Sequence, residues 1–100
     1  TNLDGVTSED TGDTVDCRWY NRITVQIICK TTGAGAVTVT IQGSVDGTDD
    51  NWHDLDEKTY TATDGKDLYH YGYNSYYPYI RTKTSTHSLS TVTTFVAARN

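Results

Sequence analysis

Residues 22–45 read "RITVQIICKTTGAGAVTVTIQGSV". In the first nine, Ile23, Val25, Ile27 and Cys29 fall on one face and Thr24, Gln26 and Lys30 on the other. A period of two is the mark of a strand with one buried side. Ile28 breaks the alternation and points to partial cover on the second face. "TTGAGA", residues 31–36, reads as a flexible turn because its glycines free the backbone. Beyond it, Val37, Val39, Ile41, Gly43 and Val45 share one face, and Thr38, Thr40, Gln42 and Ser44 the other. Two alternating runs around a glycine-rich turn predict a β-hairpin.

The same grammar extends along the chain. Asp46-Gly47 ends the second run. "NWHDL" and "EKTYTAT" read as short strands, and Asp64-Gly65 as a turn. "LYHYGYNSYYPY" is irregular. "YIRTKTST" sets Ile80, Thr82 and Thr84 against Tyr79, Arg81 and Lys83, and "STVTTFVAAR" makes a last strand. Threonine, valine, isoleucine and tyrosine favour pleated strands, and no window has a helical period. The expected fold is all-β: an antiparallel sandwich or barrel of about seven to eight strands. Residues 1–14, "TNLDGVTSEDTGDT", offer only Leu3 and Val6 as large apolar side chains. They predict an acidic, flexible N-terminal arm ordered by a neighbouring subunit or by a surface beneath it, with the β-domain over 15–100.

At 100 residues a single domain is expected. A formal charge of −5 argues against nucleic acid as partner, since phosphate contacts need a basic face. No apolar run is long enough for a membrane-spanning helix, so no membrane partner is expected. Thr1 is not followed by a basic and then an apolar segment, so no leader is read. Cys17 and Cys29 are too few for a disulfide framework; they could pair in an oxidising compartment, and the plainer reading is two partly buried thiols.

The densest set of potential ligands is "GSVDGTDDNWHDL", residues 43–55. From Asp46 to Glu57 is the length of an EF-hand loop, with Asp46, Asp50 and Glu57 in ligand-like places. Thr48 holds the third place, Asn51 the place of the sharp-turn glycine, and strands flank the segment. A weak calcium site is the most this supports, and no cofactor is expected. His53, His70 and His87 lie in separate segments with no Cys-x-x-Cys pair, which argues against zinc. No nucleophile elbow, phosphate loop or dinucleotide fingerprint is present, so no catalytic residue is assigned. The tyrosines Tyr69, Tyr71, Tyr73, Tyr76, Tyr77 and Tyr79 suit a contact surface, because the ring gives area and the hydroxyl a polar tip. With Leu3 and Val6 they form the candidate interface.

"VTVTIQGSVDGTDDNWHDL", "YPYIRTKTST" and "STVTTFVAAR" together resemble small all-β virion proteins of tailed bacteriophages, of the head-decoration or cement type. The resemblance covers about residues 23–99. It implies a jelly-roll-like β-sandwich and a non-enzymatic structural role on the capsid exterior. It also implies the major capsid protein as partner and a homotrimer at local three-fold positions. The same "S-x-DG-x-x-W" pattern also resembles discoidin-like jelly-roll carbohydrate-binding domains, which makes glycan the alternative partner. Within this frame Asp46, Gly47, Trp52 and Leu55 form a structural corner. Asp46-Gly47 makes the turn, and Trp52 folds back to plug the sandwich with Leu55 on the same side.

Overall fold

The computed structural model describes residues 1–48, 50–72 and 77–99. Among them there is no helix. Six strands follow in chain order: β1 (Leu3–Val6), β2 (Val15–Asp16), β3 (Arg22–Ser44), β4 (His53–Thr61), β5 (Gly65–Gly72) and β6 (Tyr79–Arg99). Every pairing is antiparallel.

The expected hairpin over 22–45 is not formed. Both runs belong to β3, and β6 lies beside it from Arg22↔Arg99 to Ser44↔Tyr79. The turn-like 31–36 segment bends the chain instead of reversing it. Register shifts fall between Thr31 and Ala36 and between Ala36 and Thr38, where extra residues sharpen a strand's bend. Gly35 is required here: a Cβ would lie 2.4 Å from the Leu89 carbonyl oxygen of β6. Opposite it, Thr86 and Leu89 adopt φ of 50° and 48°, so both strands turn the same corner. Two long bent strands thus do the work of four short ones, which is why six are found where seven to eight are expected. "LYHYGYNSYYPY" also differs from expectation, since its first five residues continue β5.

The bend brings the two halves of β6 face to face. Thr82 Oγ1 and Thr94 Oγ1 lie 2.7 Å apart and are buried. Between the halves sit Ile23, Val25, Ile27 and Cys29 from one arm of β3 and Val37, Val39 and Ile41 from the other. These are the inward faces expected from the alternation, except that Val45 lies past the strand end and is exposed. Burial raises the Cys17 thiol to about 11 and also raises that of Cys29, which suits packing groups and not reactive ones.

On one side, β5 pairs the first arm of β3 and β4 the second. Two tyrosines join these flanking strands: the Tyr60 hydroxyl donates to Asp67 at 2.5 Å, and that of Tyr71 to Asp56. Desolvation, then the carboxylate partner, raises both phenols, so they remain donors.

On the other side the N-terminal segment departs from the arm expected of it. β1 pairs β6 at Leu3↔Thr94, β2 pairs it at Val15↔Ile80, and Thr11 bridges to Lys83. Leu3 is buried in this chain's own core, and Val6 packs against it. One inserted leucine suffices because the polar groups around it are also satisfied. Leu3 N–H donates to Thr94 Oγ1 at 2.9 Å, and Asn2 Oδ1 accepts from Thr82 Oγ1 at 2.6 Å and Thr82 N at 2.8 Å. Leu3→Ala should therefore cost about 2–5 kcal/mol in denaturant unfolding, the range for truncating a buried leucine. An unchanged midpoint would return residues 1–14 to the role of a dispensable arm.

Candidate functional site

Asp46 acts as the hub of a turn. Its carboxylate accepts from Ser44 Oγ (3.2 Å), Thr48 N (3.0 Å), Thr48 Oγ1 (2.9 Å) and Asn51 Nδ2 (2.7 Å). Gly47 follows with φ 71°, the left-handed conformation expected of it. Trp52 and Leu55 part company. Leu55, the extra residue at the β4 bulge between Asp54 and Asp56, packs against the core. Trp52 is half-buried and lies outside the core cluster, its ring 4.3 Å from the Arg81 guanidinium. Arg81 Nε donates to Gln42 Oε1 at 2.8 Å, and Gln42 Nε2 to Asp54 at 2.8 Å, so Trp52 covers a polar network and not the space between the sheet halves.

Asp46, Asp50 and Glu57 are not brought together. Among the described residues no group of three potential metal ligands forms. Asp46 spends its oxygens on the turn, and Glu57 stands on β4 opposite Thr40.

The tyrosines divide. Tyr71 is buried, and Tyr69 and Tyr77 pack against the core, with Tyr77 over Gly43. Tyr79 lies under the Arg18 guanidinium at 5.7 Å and beside Gly47. Tyr73 and Tyr76 lie outside the described residues. With Leu3 and Val6 also turned inward, the described members of this set do not form an exposed surface.

A different surface emerges on the outer side of β5, β3 and β6. Three cross-strand rows define it: Lys66–Ile28–Thr93, Leu68–Gln26–Phe95 and His70–Thr24–Ala97. A fourth row, Gly72–Arg22–Arg99, ends it. Apolar side chains flank Gln26 in its middle, with Leu68 58 % and Phe95 39 % exposed and Ile28 half-buried. Its rim is basic. Arg22, Lys30, Lys66 and Arg99 point outward there, half of the eight Lys and Arg in a chain with 13 Asp and Glu. No outward position of these three strand segments carries a carboxylate; Asp4 on β1 and Asp64 before β5 come only at the border. The outer side of β4, β3 and β6 differs, since its rows mix signs: Glu57–Thr40–Lys83 and Asp54–Gln42–Arg81.

The sequence carried one sign of this face, the outward Ile28 that broke the alternation. Leu68 and Phe95 went unread because nothing local places them in neighbouring strands. Chemically the face offers apolar area and fixed positive charge, features that suit docking. No protein-family model, no curated protein and no solved structure matches this chain.

Two outcomes are expected of the corner. Hydrogen bonds, first from the Thr48 amide and then from Asn51 and the Thr48 hydroxyl, hold the Asp46 carboxyl at about 2, below its ordinary 3.8. The folded state then resists protonation more than the unfolded chain does. The stabilisation is complete above the ordinary value and is lost as pH falls through the folded one. In denaturant unfolding from pH 5 to pH 2, the gap between wild type and Asp46→Asn should shrink; a constant gap contradicts this. A double-mutant cycle on Trp52→Ala and Arg81→Ala should give a coupling of about 0.5–2 kcal/mol. Additive single effects would mean the stacking contributes nothing.

Proposed function

We propose that this chain is a non-enzymatic structural domain that attaches to a larger protein assembly through the outer face of β5, β3 and β6. Its most specific form is a decoration protein on the exterior of a tailed-phage capsid. The observation that carries the reading is the one-sided surface. Ile28, Leu68 and Phe95 lie exposed or half-exposed inside a ring of Arg22, Lys30, Lys66 and Arg99, on a chain of net charge −5. Apolar area of that kind supplies association energy, and the rim selects a partner with acidic margins. A second copy meeting it face to face would oppose like charges, so the partner is a different surface, read as the major capsid protein.

The finer reading of the fold is a jelly-roll-like sandwich in which β3 and β6 each run through both layers. The Thr82–Thr94 contact across the bend supports it. A homotrimer at three-fold positions would repeat the face and turn modest contacts into firm attachment by effective concentration. Sugar binding through the tyrosine run, the alternative, gains no support from Tyr69, Tyr71 and Tyr77, whose rings pack on the core.

Co-sedimentation with phage particles assembled without the protein tests the reading. Lys30→Glu/Lys66→Glu and Leu68→Asp should weaken attachment by about tenfold or more, while Lys58→Glu, on exposed β4, should not. Face variants that fold and attach as wild type does would remove this surface from the function.

A further inference from the structure

Arg22 and Arg99 stand directly opposite each other at the end of the β3–β6 ladder. Like charges so placed oppose folding. The flanking strand brings Gly72 opposite Arg22, and so no counter-charge. Among the described residues the ion pair is Arg18–Asp16, and neither Arg22 nor Arg99 meets a carboxylate. Two arginines side by side, with no carboxylate against them among the described residues, are a cost that an external anion would offset.

The space for one is present. A depression of about 380 Å³ opens here, bounded by Arg22, Thr24, His70 and Arg99 with Ile23 and Tyr71 beneath. Gly72 keeps it open: a Cβ there would meet nothing closer than the Asn21 carbonyl oxygen at 3.6 Å. Thr24 Oγ1 and His70 Nδ1, 3.2 Å apart, already orient each other. Just before Asn21 in the chain stand Trp19 and Tyr20, 78 % and 41 % accessible.

Guanidinium forks match the planar or tetrahedral oxygens of a carboxylate or sulfate. The depression is far larger than a bare ion and falls in the range of small-molecule sites. Exposed aromatic rings at Trp19 and Tyr20, three and two residues before Arg22 in the chain, suit the apolar face of a sugar ring. We propose that this end of the sheet binds an acidic sugar, its carboxylate or sulfate held between Arg22 and Arg99 and its hydroxyls met by Thr24 and His70. The site occupies the Arg22–Arg99 end of that same face, and its test uses residues other than Lys30 and Leu68, with Lys66 only as a control, so the two readings fail separately.

The test is an NMR titration of the full ¹⁵N-labelled chain at constant ionic strength. The probes are glucuronate, glucose 6-sulfate, glucose, and the peptide N-acetyl-Glu-Glu-amide. Saturable shifts centred on Arg22, Thr24, His70, Gly72 and Arg99 are expected with one or both charged sugars, and which one responds identifies the anion. Glucose should leave these signals in place. Arg22→Gln and Arg99→Gln should each weaken binding about tenfold or more. Trp19→Ala should weaken it several-fold, and Lys66→Gln should not change it. The unfolding midpoints of both arginine variants should stay level or rise, because a repulsion is removed, so lost binding would not be lost fold. Shifts at all lysines and arginines alike would mean non-specific screening. A peptide that binds as tightly as the sugars would replace the sugar with a protein carboxylate. Either result, or full affinity in Arg22→Gln or Trp19→Ala, overturns the proposal.

Discussion

Thr82 and Thr94 share one strand yet touch across the interior at 2.7 Å. That contact requires β6 to fold back over itself, and β3 with it. Buried hydroxyls are tolerated only when satisfied, and these form a closed sequence of donors. Leu3 N–H donates to Thr94, Thr94 to Thr82, and Thr82 to Asn2. The N-terminal segment therefore completes the interior where a chain of this length has little apolar material to spare. The threonine content that marks the sequence serves the core as well as the surface.

Side-chain direction was legible in the sequence, and chain direction was not. Ile23, Val25, Ile27, Cys29, Val37, Val39 and Ile41 all point inward as the alternation says. Alternation is a local property, so it survives any pairing of the strands. Whether 31–36 reverses or bends the chain depends on Gly35 lying against the Leu89 carbonyl, a contact between distant parts of the sequence. The same limit explains Leu3, whose burial depends on Thr94, and Trp52, whose stacking depends on Arg81. Asp46-Gly47 was readable because a turn's hydrogen bonds are made within a few residues.

Charge shows the same contrast between composition and arrangement. A net charge of −5 describes an acidic chain, but the strand registers gather four cations on one outer face and mix the signs on the other. Bulk charge argued against nucleic acid and had nothing to say about a basic-rimmed outer face. The rim at Arg22 and Arg99 arises only because the ends of β3 and β6 coincide. Neither residue stands out in sequence, and their meaning comes from the register.

The core, the outer face and the depression all follow from β3 and β6 being two long, bent partners. Backbone NOE contacts in solution test that most directly. Expected are cross-strand contacts pairing Thr24 with Ala97 and Thr40 with Lys83, a side-chain contact between Thr82 and Thr94, and no backbone contacts between residues 22–30 and 36–45. Contacts linking Ile28 to Thr38 across a closed 31–36 turn would show a hairpin, and would contradict the fold, the face and the pocket together.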